Sequence, residues 1–260
     1  MFKEGDKKMH QEKRLRYIKE YLAQKGELTT NDLIELLKVS KDTVRRDILL
    51  LTERGEVKRT HGGIVSLDFD THIPSYEERL IRFSKVKIKM AEAALKLIEE
   101  QDICFFDVST TMTKLSQLVN INCSIYTHSI DNSIAITNKM KPSLNLLGGD
   151  FYSRNRFFYE PDQIKKLNSI SFDIVFIGAA SISSHGVFFE DKEDAWIKSA
   201  AIKNAKKVVL VAESEKFKKS ASFKGNELED IDIFITDSPL SNEQLSWFKE
   251  NIEILLVSKR

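Results

Sequence analysis

Apolar residues recur at three- and four-residue steps through the first fifty positions. Leu15, Ile18 and Leu22 form one stripe, with Lys13, Arg16, Lys19 and Glu20 off it, so the spacing predicts a helix over 11–24 ending at Gly26. Thr29 followed by Asp32 is a short capping box for a second helix, with Leu33, Leu36 and Leu37 inward. Ser40 caps a third helix over 41–53, in which Val44, Ile48 and Leu51 share a face. Asp42 and Arg46 point away from that face, flanked by Thr43, Arg45 and Leu49. Glu56–Thr60 and Ile64–Val65 read as two strands around His61-Gly62-Gly63. A hairpin directly after a helix-turn-helix is a wing.

Beyond Ser66 the pattern changes. Residues 66–74 hold no period and end at Pro74, so a linker over 67–80 is expected between a domain over 10–66 and one over 81–260. Ser75 and Glu78 form a capping box ahead of a helix whose stripe is Ile88, Ala91, Leu95 and Ile98. Strands are predicted at Ile103–Phe106, Ser124–Thr127, Asn145–Leu147, Ile174–Ile177, Val208–Val211, Ile231–Ile235 and Ile254–Val257, with helices near 112–119, 130–138, 193–205 and 241–250. This alternation implies an α/β domain around a mostly parallel sheet, whose ligands bind at the carboxyl ends of the strands.

Composition narrows the class. The 260 residues carry 40 Lys+Arg against 39 Asp+Glu, a net of +1, which on its own argues against a protein that coats nucleic acid by bulk charge. Residues 1–66, however, hold 15 Lys+Arg and 11 Asp+Glu, a net of +4, and the remainder hold 25 and 28, a net of −3. One of two segments therefore suits an anionic partner. The longest apolar run, Ile174 to Ala180, has seven residues, and the first residues are polar, so no membrane span or signal segment is expected and a cytoplasmic location is. His10, His61, His72, His128 and His185 are scattered and Cys104 and Cys123 lack C-x₂-C spacing, so neither metal nor cofactor is expected.

Arg45 and Arg46 near the start of a short third helix suit phosphate or guanine contacts, or else form a solvated face paired with Asp42 and Asp47. The wing tip adds Lys58, Arg59, Thr60 and His61 beside glycines that permit close approach to a backbone. In the second domain, Asp107-Val108-Ser109-Thr110-Thr111 follows a strand and opens a helix, as an anion site or as ordinary capping. Gly148-Gly149 and Gly178 also follow strands. Lys198 lies four residues after Asp194, the spacing of a surface pair. Phe151–Tyr159 suits a lid or an interface, and Trp196 and Trp247 suit packing.

The run SKDTVRRDILLLTERGEVKRTHGG, residues 40–63, resembles the signature of DeoR-type bacterial transcriptional regulators, with a T-[IV]-R-R-D-L core and a terminal H-G-G. The resemblance continues through Asp107–Thr111, Leu147-Gly148-Gly149, Phe176–Ala179, Asp194 to Lys198 and Glu213–Phe217. It implies operator contacts from Thr29, Ser40, Lys41, Thr43, Arg45, Arg46, Lys58, Arg59, Thr60, His61 and Gly62. It also implies a sensor domain resembling ribose-phosphate isomerases that binds a phosphorylated sugar through Asp107, Ser109, Thr110, Thr111, Gly148, Gly149, Gly178 and Lys198. The sequence departs from the family at Ser109 (commonly glycine), His128 (asparagine) and Glu160 (glycine before Pro161).

The function so implied is a sequence-specific regulator, most often a repressor, of a sugar-metabolism operon, acting as a homo-oligomer (dimer or tetramer) on repeated half-sites. The alternative is a sugar-phosphate isomerase-like enzyme carrying a DNA-binding module, for which Asp107, Glu190, Asp191 and Asp194 are available as general bases. No catalytic residue is assigned.

Overall fold

The computed structural model describes residues 10–25, 27–60, 62–66 and 85–257. Gly26, His61, the expected linker and the Ser75–Glu78 capping box lie outside them. The chain forms two compact units, Met1–Thr71 and His72–Arg260.

The first unit contains α1 (Gln11–Lys25), β1 (Glu27–Thr29), α2 (Thr30–Leu37), α3 (Lys41–Glu53), β2 (Val57–Arg59) and β3 (Gly63–Ser66). Thr29 caps α2 reciprocally: the Asp32 N–H donates to Thr29 Oγ1 at 3.1 Å and the Thr29 N–H to Asp32 Oδ2 at 2.8 Å. Ser40 caps α3 through the Thr43 N–H at 3.3 Å. Leu15, Ile18, Leu33, Val44, Ile48 and Leu51 meet in one core.

The wing is larger than a hairpin. β3 pairs antiparallel with β2 and also with β1, giving the order β1-β3-β2. Gly63 makes the extra pairing possible, since a Cβ there would fall 2.0 Å from the Leu28 carbonyl oxygen. β1 has three residues and no alternation of its own, so its pairing depends on that approach.

Asp47 corrects a second expectation. It is fully buried on α3 and faces α1 rather than Arg45 or Arg46. Arg14 grips it with two hydrogen bonds, Nε to Oδ2 at 2.7 Å and Nη2 to Oδ1 at 3.0 Å. The guanidinium is held above its ordinary range by that hydrogen bonding.

The second unit is built on seven parallel strands in the order β15-β14-β12-β9-β4-β5-β6. These are β4 (Ile103–Phe106), β5 (Ser124–Thr127), β6 (Ser143–Leu146), β9 (Ile174–Ile177), β12 (Val208–Val211), β14 (Ile233–Thr236) and β15 (Glu253–Leu256). All seven predicted strands are present, with β6, β14 and β15 displaced by one or two residues. The central strands β9, β12 and β14 are buried at every position, as continuous apolar runs between two helical layers must be. α4 (Lys85–Leu95) and α5 (Thr110–Leu118) contribute to the core on one face through Met90, Ala94, Met112 and Leu115. α8 (Lys192–Lys203) contributes Ala195, Ile197 and Ala201 to the core on the other. α6 (Ile130–Thr137) and α7 (Asp162–Asn168) complete the crossovers.

Other details differ from expectation. In α4 the buried stripe is Lys87, Met90, Ala91 and Ala94, while Ile88 and Leu95 are half-buried. The helix expected over 241–250 contracts to α9 (Asn242–Leu245). A hairpin of β7 (Asp150–Tyr152) and β8 (Phe157–Tyr159), and an antiparallel sheet of β10 (Ser181–Ser183), β11 (Gly186–Phe189) and β13 (Phe223–Asn226), were not anticipated. No described helix is long and apolar enough to cross a membrane.

Arg14→Met strands a carboxylate inside the first unit, which costs about 3 kcal/mol. Native-state hydrogen exchange of the α3 amides should report that loss, and unchanged protection would contradict the assigned pairing.

Candidate functional site

In the first unit, α3 presents Lys41, Asp42, Arg45, Arg46 and Leu49 to solvent. Among the described residues, Arg45 and Arg46 form no ion pair: Asp47 is committed to Arg14, and Asp42, exposed on the same helix, pairs with neither. Lys41 and Arg45 border a concavity closed by Arg59, Thr60 and Gly62 of the wing and by Thr30 and Asn31 at the start of α2. Thr30 ties the two walls together, donating from N and Oγ1 to the Gly62 carbonyl at 2.8 and 2.9 Å.

The expected DNA contacts thus divide. Lys41, Arg45, Arg59, Thr60 and Gly62 share the concavity, with Arg46 exposed on α3. Lys58 lies outside it, on a strand whose side chains alternate. Thr29, Ser40 and Thr43 have hydroxyls engaged in helix caps, Thr29 with Asp32 and Ser40 with Thr43 at 2.9 Å. Thr30 and Asn31 were missed, though their place in the first turn of α2 was readable from the capping box. His61 lies outside the described residues.

In the second unit the chain runs outward from β4 to β6, then returns to place β9 beside β4 and continues in the opposite direction. Open parallel sheets form a crevice at such a reversal. A cavity lies there, lined by Asp107–Thr111 after β4, Gly178–Ala180 after β9 and Val211–Glu213 at the end of β12. Lys87, Asn155, Phe189, Glu190, Asp194, Lys198 and Lys216 complete it.

Its floor is a buried charge network. The Lys198 ammonium, 2% exposed, lies 3.0 Å from Asp107 Oδ2 and 2.8 Å from Asp194 Oδ2. Asp107 Oδ2 also accepts the Gly178 N–H at 2.7 Å, joining β4 to β9 across the reversal. Asp194 Oδ1 meets His128 Nε2 at 2.8 Å, and the His128 ring lies between Phe105 and Phe157. The ammonium also sits 3.9 Å from the centre of the Phe189 ring. Burial opposes the charge on Lys198, but the two carboxylates outweigh it and hold the ammonium above its ordinary range. Burial likewise opposes the Asp194 carboxylate, yet Lys198 and His128 hold it below the usual range.

Lys198 is therefore no surface partner of Asp194; helical spacing alone cannot distinguish an exposed pair from a buried one. Asp107, Ser109, Thr110, Thr111, Gly178 and Lys198 meet at this cavity as expected. Ser109 caps α5, accepting from the Met112 N–H at 3.2 Å, and Gly178 packs closely against it, since a Cβ there would lie 3.1 Å from Ser109 Cβ. Asp107 Oδ1 is buried without a hydrogen-bond partner.

Gly148 and Gly149 are not at the cavity. The Gly148 carbonyl accepts from Gln163 Nε2, and Gly149, at φ +113°, lies so close to β8 that a Cβ there would fall 2.5 Å from the Tyr159 carbonyl oxygen. Gly149 serves the β7–β8 hairpin, and Gly148 is tied to α7. The turn of that hairpin reaches the cavity wall: Asn155 donates to Asp191 at 2.5 Å, and Arg154 pairs with Glu190 at 2.5 Å. Arg156 pairs with Asp131, so Glu160 is exposed and pairs with neither arginine. Trp196, expected to pack inside, is 49% exposed beside Tyr159 and Lys192, whereas Trp247 packs against the core. The carboxylates considered as general bases are engaged: Asp107 and Asp194 by Lys198, Glu190 by Arg154, Asp191 by Asn155. Lys87 carried no sequence signal, lying among several helical lysines. Lys216 lay in the Glu213–Phe217 segment without an assigned role.

Two family models match the chain, a DeoR-like helix-turn-helix domain over residues 14–69 and a DeoR C-terminal sensor domain over 82–238. The HTH-type transcriptional repressor GlcR of Bacillus subtilis (strain 168) is 35% identical over 88% of this chain and 89% of its own length. The glycerol-3-phosphate regulon repressor of Escherichia coli (strain K12) is 26% identical over 89% of this chain and 92% of its own. Ribose 5-phosphate isomerase A of Methanocaldococcus jannaschii superposes with a TM-score of 0.37 at 14% identity, covering 50% of this chain and 53% of that one, a similarity too slight to bear on chemistry.

Lys198→Met leaves two buried carboxylates without their counter-ion and should destabilise the second unit by about 3–5 kcal/mol. A melting temperature within a degree or so of the parent would contradict the charged network.

Proposed function

The chain belongs to the DeoR family of transcriptional regulators, and from that membership we propose that it represses a sugar-metabolism operon, with operator affinity set by a phosphorylated sugar in the cavity of the second unit. The observation carrying this reading is the union in one chain of a winged helix with two unpaired outward arginines and a hydroxyl-lined cavity at a sheet reversal.

On the DNA side, Arg45 and Arg46 reach the major groove, where a guanidinium forks onto guanine O6 and N7 or onto a phosphate. Lys41, Arg59, Thr60 and Gly62 hold the backbone and fix register, with Lys58 and His61 extending the wing. Thr29, Ser40 and Thr43 position α2 and α3 through their caps. One winged helix covers one half-site, so the protein acts as a homo-oligomer on a repeated operator, in the cytoplasm with its DNA.

On the effector side, the first N–H groups of α5 have no intrahelical acceptor and, with the Ser109–Thr111 hydroxyls, form the phosphate cradle. Lys198 is held by two carboxylates and fixes Asp107, and Lys216, in the cavity wall and 3.6 Å from Glu215, supplies counter-charge. The unpartnered Asp107 Oδ1 accepts a sugar hydroxyl. The same carboxylates are held in pairs rather than poised for proton abstraction, which favours binding over turnover; production of an isomerised sugar phosphate by the purified protein would reverse that preference.

Arg46→Ala should abolish specific operator retention while the far-ultraviolet circular dichroism stays that of the parent; undiminished retention would remove Arg46 from the interface. Within a panel of sugar phosphates, the effector should raise the melting temperature and alter operator affinity. Thr110→Ala combined with Thr111→Ala should cancel that thermal response, and a full response would place the phosphate elsewhere.

A further inference from the structure

At about 100° per residue, Lys41, Arg45 and Ile48 fall on one flank of α3, and these three line the concavity that α3 shares with the wing. The adjoining stripe, at steps of four and three residues, is Asp42, Arg46 and Leu49. It lies opposite Val44 and Leu51, which are fully buried in the core of the first unit, and all three of its members are exposed. The two faces of α3 thus differ in chemistry. The flank beside the wing is basic, as a phosphate backbone requires, whereas the outer stripe holds an acid, a guanidinium and a leucine.

A surface that met only phosphates would not be built this way. A carboxylate there repels the backbone, and Asp42 pairs with neither arginine of α3. Leu49 is 49% exposed and offers a phosphate no donor. An acid in the first turn favours the helix dipole, which accounts for Asp42 by itself, and a single exposed leucine is common on any surface. Neither reason accounts for the two lying on one stripe with Arg46 between them. The base edges of the major groove account for all three: cytosine presents an amino donor to a carboxylate, guanine O6 and N7 accept from a guanidinium, and thymine carries an apolar C5-methyl group. At about 1.5 Å per residue the stripe spans about 10 Å, or about three base-pair steps of about 3.4 Å.

We propose that Asp42 and Leu49 determine operator specificity: Asp42 accepts from a cytosine amino group and Leu49 packs on a thymine methyl group, on either side of a guanine read by Arg46. This rests on the operator-binding reading above and adds to it the base composition of the half-site. The flank of Lys41 and Arg45, with the wing, then holds the backbone, and the outer stripe supplies the sequence information.

The test selects a duplex library with a randomised core on the full chain and measures affinity for the selected duplex by anisotropy. The enriched half-site should contain a cytosine, a guanine and a thymine within about three base-pair steps. Replacing that thymine by uracil removes only the C5-methyl group and should weaken parental binding about fourfold. Leu49→Ala should bind the thymine duplex as weakly as the parent binds the uracil duplex and should not distinguish the two; Leu49→Met should regain the difference. Asp42→Ala should lose discrimination of about tenfold against replacement of the cytosine pair, yet bind an unrelated duplex more tightly than the parent, because a charge that repels phosphate is gone. Equal parental affinity for thymine and uracil at every half-site thymine would overturn the role of Leu49. Parental discrimination at every half-site cytosine in Asp42→Ala would overturn that of Asp42. A library from which the parent enriches no sequence would overturn the operator-binding reading itself, and both specificity roles with it.

Discussion

The second unit depends on keeping one ammonium charged in a place that water does not reach. Burial alone would favour the neutral form of Lys198, and Asp107 and Asp194 outweigh it. The same three groups join β4, through Asp107, to β9, through the Gly178 N–H, and to α8, through Asp194 and Lys198. Removing any member leaves a buried charge unbalanced, so the reversal of the sheet and the floor of the cavity stand together. The arrangement is costly compared with apolar packing, and its product is a fixed carboxylate edge on which a polar ligand can be oriented.

The first unit uses the same physics for a different end. Arg14 satisfies the buried Asp47, and that commitment withdraws the nearby acid from Arg45 and Arg46. In both units a buried pair consumes charges inside, and in the first unit two arginines on α3 remain facing outward. The overall charge of +1 therefore says little about nucleic-acid binding, since it averages charges already consumed inside with those that face outward.

The parts of the fold visible in the sequence are those with strong periodicity. α3 was legible from Val44, Ile48 and Leu51 with Ser40 before them, and the seven parallel strands from short, largely apolar segments alternating with helical patterns. β1 was not, because three residues without alternation become a strand only when Gly63 lets another chain segment approach. The antiparallel sheet of β10, β11 and β13 has the same origin, with strands of three or four residues. At the site, Asp107–Thr111 was legible because a strand, a cap and a helix follow in order. The burial of Lys198 was not, since an Asp-to-Lys step of four residues looks alike on any helix face. Gly148 and Gly149 misled for the complementary reason: glycines after a strand permit a ligand's approach and a hairpin's approach equally, and here Tyr159 takes the space at Gly149 while Gln163 of α7 takes the Gly148 carbonyl.

Lys198 should behave as a charged structural ion and not as the counter-charge of a bound phosphate. Side-chain nitrogen resonance of Lys198, followed through a pH titration with and without a bound sugar phosphate, tests it directly. An ammonium signal that persists above the ordinary lysine value of about 10.4 and is little altered by ligand is expected. A neutral amine near pH 7, or a signal that moves with ligand as a direct phosphate contact would, would contradict it.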